Sequence, residues 1–173
     1  MTNPHPRRDL ASRESRDMPR DILQSVFATE MLAPSRPLWI LSPWISDVEL
    51  IDNRGGRFSG IEPSWPNAGI RLMSILRSIT ARGGQVTIVV NRATHNDEFE
   101  RRLRVLADPN FRFIRDELVH AKGIVGERFL VAGSMNLTYG GVYRNDEHVE
   151  YDTDPARIHE WRVELEQRWG ESG

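Results

Sequence analysis

His120 and Lys122 stand two residues apart, and Ser134 and Asn136 repeat that spacing in the segment that follows. Lys122 is the single lysine among 23 Lys and Arg residues, so every other cationic side chain is an arginine. A genome-wide codon bias would account for the arginines, which makes the one lysine that escapes it informative. An imidazole, an ammonium, a hydroxyl and a carboxamide would together make a site for an oxyanion. The ammonium and the amide can hold the equatorial oxygens of a phosphoryl group, and an uncharged imidazole can attack phosphorus as a covalent nucleophile. A compact ammonium suits such a site better than a planar guanidinium, whose rigid fork would crowd the nucleophile. No metal site is expected, because this group brings no carboxylate pair and the chain has no His-x-x-x-His.

The elements that must position these groups follow from hydrophobic periodicity. HAKGIV and RFLVAG read as two strands joined by a turn at Gly126-Glu127. Residues two apart on a strand point to one face, so a hairpin would bring all four groups to one end of a sheet. Upstream, a helix is expected from Pro19, with Ile22, Leu23, Val26, Phe27 and Leu32 on one face, ending at Pro34 and Pro37. PLWILSPW then gives a buried strand over Leu38 to Leu41. Residues 45 to 68, rich in Gly, Pro, Asn and Ser, predict a long irregular loop. Ile70, Leu72, Met73, Ile75, Leu76 and Ile79 predict a helix closed by Gly83-Gly84, with the buried strand QVTIVV after it. Thr94-x-x-Asp97 resembles a capping box for a helix with Phe99, Leu103 and Leu106 inward. Arg101, Arg102 and Arg104 on its outer side fit a solvated face, with phosphate contact as the alternative. FRFI, a strand over about Glu147 to Tyr151, and a helix opened by Asp154-Pro155 complete the chain. Trp161 and Trp169 on that helix are expected in the core, and His148, facing away from Glu147, is expected to be structural. The order β-α-β-α-β-β-β-β-α indicates an α/β sandwich around a mixed sheet.

His120-x-Lys122 followed by Gly133-Ser134-x-Asn136 resembles the phospholipase D superfamily signature, H-x-K-x4-D-x6-G-S-x-N. The resemblance implies a phospholipase D-like sandwich, a mixed β-sheet flanked by helices, in a single domain over residues 19–173. Residues 1–18, polar and Pro-containing with Arg7, Arg8, Arg13 and Arg16 among acids, are expected to be a disordered tail. It implies that His120, Lys122, Ser134 and Asn136 are catalytic, and that Glu147 is the acidic residue that orients the histidine. Two positions depart from the pattern: Glu127 stands where the family has Asp, and the distance from it to Gly133 is one residue shorter. In the family that acid is largely structural.

The family's reaction needs two histidines, one to form a phosphohistidine and one to protonate the leaving oxygen and then activate water. His5, His95 and His159 are not followed by x-Lys, so the resemblance implies a homodimer in which a second copy completes the site. The implied activity is a metal-independent and cofactor-independent phosphodiesterase, a nuclease acting on nucleic acid, with DNA the expected substrate. Some single-motif members resemble components of bacterial DNA-modification and restriction clusters. The alternatives are a non-catalytic subunit that binds nucleic acid or partner proteins in a larger complex, and a lipid phosphodiesterase. The absence of cysteine excludes disulfides and thiol chemistry. No signal-peptide pattern and no long apolar run is present, so a cytoplasmic location away from membranes is expected. The net charge of −2 argues against a broadly basic coat while leaving room for a local basic groove.

Overall fold

The computed structural model describes residues 8–9 and 18–170. Most of the segment expected as a tail, residues 1–18, lies outside the described residues. Of it, Arg8–Asp9 (β1) pairs with Tyr151 and Glu150, and Met18 opens the first helix.

The chain continues through α1 (Met18–Leu32), β2 (Leu38–Leu41), β3 (Glu49–Asp52), β4 (Gly69–Arg71) and α2 (Leu72–Ala81). Then come β5 (Val86–Val90), α3 (Asp97–Val105), β6 (Phe111–Arg115), β7 (Gly123–Val125) and β8 (Leu130–Gly133). The last elements are α4 (Tyr139–Tyr143), β9 (Val149–Asp152) and α5 (Pro155–Trp169). One mixed sheet runs in the order β1-β9-β8-β7-β2-β5-β6. Strands β2, β5 and β6 are parallel, and β2, β7, β8 and β9 alternate in direction.

Helices cover both faces of this sheet, as a strand buried on both sides requires. All four residues of β2 are buried, and they divide by the two-residue period of a strand. Leu38 and Ile40 enter the core shared with Leu23, Phe27, Ile75, Leu76 and Phe99 of α1, α2 and α3. Trp39 and Leu41 enter the core that α5 closes with Ile158, Leu165 and Trp169. Each such aliphatic or aromatic side chain contributes roughly 1.5–3 kcal/mol when fully buried. The expected sandwich is thus present, with helices on either side of a mixed sheet.

Several local expectations are corrected. Residues 45–68 are not one irregular loop, because β3 pairs with β4 as a separate ribbon. Val48, Leu50 and Ile51 are buried, and the buried Asn53 side chain donates to Pro66 O (2.9 Å) and accepts from Phe58 N (2.7 Å). Those apolar residues are too few to outweigh the surrounding Gly, Pro and Asn in a composition-based reading. Ile70 belongs to β4, and α2 starts at Leu72; it ends at Ala81, and Gly83 just past the Arg82 cap, with φ +85°, provides the expected helix stop. Thr94 opens a short 3-10 turn, and α3 begins after Asn96 without a side-chain cap, so there is no capping box. Helix α4 was not expected; it holds two glycines and only five residues.

The β7–β8 hairpin is fastened at its turn. Glu30, fully buried at the end of α1, accepts hydrogen bonds from Ser35 N and Ser35 Oγ, both at 2.7 Å. Ser35 Oγ in turn accepts from Glu127 N (2.8 Å), and Glu127 Oε1 accepts from Arg36 N (3.0 Å). Glu127, the acid at the motif position, therefore bonds to the neighbouring turn. Burial pushes the Glu30 carboxyl above its ordinary range, against the pull of Ser35 and Arg128. A raised folded-state pKa means that this group's stability is fully present below the unfolded value, about 4.3, and is lost as pH rises through the folded one. Urea denaturation of wild type and Glu30→Gln between pH 4 and 8 should show the difference moving in favour of the variant as pH rises above the unfolded value, then levelling once the folded-state carboxyl has ionised. A difference independent of pH would contradict it.

Candidate functional site

Three strands deliver the motif residues to one edge of the sheet. Leu41 at the end of β2 is paired with Gly123 at the start of β7. Gly123 is paired with Ala132, and Gly133 with Val149 at the start of β9. His120 and Lys122 therefore precede β7 at the same edge where Ser134 and Asn136 follow β8 and where Glu147 precedes β9. The expected convergence is present, but the route to it differs. His120 and Lys122 lie ahead of the strand rather than on it, and Ser134 and Asn136 lie beyond theirs. The ladder reaches one step past the strands, with Gly133 N donating to Lys122 O (3.2 Å) and Ser134 N to His148 O (2.9 Å). Gly133 is required here: an added Cβ would run into the His148 carbonyl.

Local bonds then aim the side chains. Asp116 Oδ1 accepts from Leu118 N (2.8 Å) and shapes the turn before His120, and Val119, 1% exposed, anchors that turn in the α5-side core. The Leu118 amide, followed by Trp169 and Arg168, holds the Asp116 carboxyl below the usual carboxylate range. His120 is exposed, and the half-buried Lys122 extends its Nζ to His120 O (3.1 Å). Among the described residues Lys122 is in no ion pair, so its ammonium remains available to an anion. Ser134 Oγ donates to Glu147 Oε2 and accepts from His148 N (3.0 Å), while Asn145 Nδ2 donates to Glu147 Oε1 (3.1 Å). Glu147 is thus held inside the group by Ser134 and Asn145 rather than by the His120 ring. Asn136 Oδ1 accepts from Trp44 N (3.2 Å), which fixes the carboxamide and leaves its NH₂ as the free end. His148 is exposed, its side chain apart from these bonds.

Sequence reasoning missed the scaffold beneath Asn136. Ser42, fully buried, donates to Trp44 O (2.6 Å) and accepts from Leu137 N (2.8 Å). Ile45 and Leu137 form an isolated parallel bridge, and Ser46 N donates to Leu137 O (2.9 Å). Asn96, also fully buried, accepts from Ile45 N (2.9 Å) and donates to Pro43 O (2.9 Å) and Asn91 O (3.0 Å). In the sequence Ser42 and Pro43 simply follow the strand over Leu38 to Leu41, and Asn96 falls within the Thr94-x-x-Asp97 helix start. Their pairing across 53 residues becomes visible once β2 and β5 are neighbours. Ser46 Oγ also lies 2.9 Å from His95 Nε2. Arg101, Arg102 and Arg104 are engaged by Glu98, Asp47 and Glu100.

Among the described residues no group of three or more His, Cys, Asp or Glu could hold a metal ion. Nor is any helix among them long and apolar enough to cross a membrane. Residues 57–169 match the family model for the cardiolipin synthase, PLD-like domain. The chain belongs to the phospholipase D superfamily. No curated protein sequence matches it. The fold of this phospholipase D-like chain is similar to that of NucT from Helicobacter pylori, at 12% identity and a TM-score of 0.59, covering 95% of this chain and 94% of that one. It is also similar to Nuc, a phospholipase D family member from Salmonella typhimurium, at 14% identity and a TM-score of 0.52, over 84% and 85% of the two chains. Polyphosphate kinase from Porphyromonas gingivalis shares the fold at 14% identity and a TM-score of 0.60, covering 89% of this chain but 22% of that one. The family match includes every motif residue and leaves out Ser42 and Trp44, which come before it.

Asn96→Ala strands Ile45 N and Pro43 O in a dry environment and should destabilise the fold by about 2–3 kcal/mol. Equilibrium urea unfolding reads this directly, and a loss near zero would show that the Asn96 bonds do not fasten the loop.

Proposed function

We propose that this phospholipase D-like chain is a homodimeric, metal-independent phosphodiesterase that acts on nucleic acid, DNA foremost, through a covalent phosphohistidine. The observation that carries the reading is the group Lys122, Ser134, Asn136 and Glu147 gathered beside the exposed His120 at one sheet edge. Bacterial DNA modification or restriction is the setting that the motif resemblance implies.

In this reading a His120 ring nitrogen attacks phosphorus. A P–N bond forms, and the bond to the leaving oxygen breaks as that oxygen takes a proton from His120 of the second copy. The second histidine then removes a proton from water, whose oxygen attacks phosphorus and expels His120. Lys122 Nζ and the Asn136 NH₂ face the charge that builds on the phosphoryl oxygens. Ser134 and Asn145 keep the Glu147 carboxylate within the site. A second copy is needed because one chain brings one His-x-Lys. Leu118, 72% exposed and two residues ahead of His120, is an apolar side chain that a two-fold contact around that histidine would cover. The non-catalytic reading, a phosphate-binding subunit, draws on one observation: both Glu147 oxygens are bonded to Ser134 and Asn145 within the chain.

Turnover of bis(p-nitrophenyl) phosphate and of DNA separates the two. His120→Ala should abolish it, Lys122→Arg should lower it by about 100-fold or more, and EDTA should leave it intact. Retained turnover in His120→Ala defeats the enzyme reading, and loss in EDTA restored by Mg²⁺ defeats its metal-independence. Sedimentation at micromolar concentration should give a dimer; an active monomer would rule out the shared site.

A further inference from the structure

Trp44 sits in the site with its indole in solvent, 51% exposed. Its neighbours give no reason for that exposure. Ser42, Pro43 and Ile45 are all buried, and the backbone of Trp44 is tied at both ends, its N–H to Asn136 Oδ1 (3.2 Å) and its carbonyl to Ser42 Oγ (2.6 Å). The Asn96 carboxamide holds the residues on either side, Pro43 O and Ile45 N. The loop is therefore fixed, and the indole is presented outward by a rigid backbone. The other tryptophans behave differently: Trp39, Trp65 and Trp169 are at most 9% exposed, and Trp161 packs partly buried against the α5-side core.

What could use this ring depends on what lies beside it. Asn136, its direct hydrogen-bond partner, offers its NH₂ at the same edge as Lys122. A phosphoryl group held there would place whatever it esterifies against the indole. Tyr139, three residues after Asn136 and 61% exposed, already has one face on Tyr143 at 5.2 Å, whereas Trp44 makes no ring contact among the described residues. Nucleobases have flat faces and stack on aromatic rings with little regard to sequence. In a duplex both faces of an interior base are covered by its neighbours, so only an unpaired base can offer one to a protein ring.

We propose that Trp44 is a base-stacking platform beside the phosphoryl site, and that it gives the protein a preference for single-stranded over duplex nucleic acid. The proposal rests on the phosphodiester reading above for where the phosphate lies, and it adds the strand form and the residue that selects it. A diacylglycerol phosphodiester, whose esterified groups are aliphatic, has no flat aromatic face to offer the ring.

The test uses the full-length protein, wild type, Trp44→Ala and Trp44→Phe, with binding read by fluorescence anisotropy so that no turnover is needed. The probes are a labelled single-stranded oligodeoxynucleotide, the same strand built from abasic residues, and a blunt duplex of that sequence. Wild type should bind the single strand more tightly than the duplex or the abasic strand. Trp44→Ala should weaken single-strand binding by about tenfold or more, at least tenfold beyond its effect on the abasic strand, and Trp44→Phe should keep most of the affinity. Equal losses on the normal and abasic strands would overturn the proposal, because the residue would then act through Asn136 or the loop. Conversion of the dimer to monomer by Trp44→Ala, seen by sedimentation, would also overturn it, because the ring would then be a subunit contact. A wild-type preference for duplex would overturn the strand selectivity. A wild type that binds strands as expected yet cleaves no phosphodiester would sink the enzymatic reading and leave the stacking platform standing.

Discussion

The hydroxyl of Ser42 ties together two chain segments on which the candidate site depends. It donates to Trp44 O and accepts from Leu137 N, so the loop leaving parallel strand β2 and the segment leaving antiparallel strand β8 share one buried oxygen. Without it, the buried Leu137 N–H would lose its partner, at a cost of about 1–3 kcal/mol, and the part-buried Trp44 O would lose its bond. Asn96 extends the same constraint to the segment after β5. Asn136 stands next to Leu137, so its carboxamide is aimed by the same bonds that close the core.

This arrangement explains why the motif falls at strand ends. A sheet interior satisfies its backbone through the ladder and leaves no room for a ligand. At the edge, where β7 begins, β8 ends and β9 begins, the chain can present side chains while the ladder still fixes their origins. The hairpin is held from its other end too, by the Glu30–Ser35–Glu127 bonds. Those bonds accommodate a glutamate and a segment shortened by one residue, so the departures from the family pattern fall in the turn region, away from Lys122 and Ser134.

Much of this was legible in the sequence, because period and local chemistry determine it. The four-residue apolar run of β2, the 3.6-residue repeat of α1 and α2, and the Asp154-Pro155 start of α5 are each specified by neighbouring residues. The His120–Asn136 motif was legible because its residue types are unusual together. The β3–β4 ribbon was not, since a few buried apolar residues and the buried Asn53 are outweighed locally by turn formers. Nor was the extent of β7: HAKGIV alternates as a strand does, yet only Gly123–Val125 find ladder partners on both sides. Ser42, Trp44 and Asn96 were unreadable for a deeper reason, since their roles arise from contacts across 51 to 95 residues.

The central claim, that His120 takes phosphorus into a covalent bond, is tested most directly by the stereochemistry of the reaction. A phosphodiester made chiral at phosphorus by sulfur and isotopic oxygen substitution is hydrolysed by the wild-type protein, and the configuration of the product is read. Each in-line displacement inverts phosphorus, so attack by His120 followed by attack of water predicts overall retention. Inversion would mean that water displaces the leaving group in one step, and would contradict the phosphohistidine.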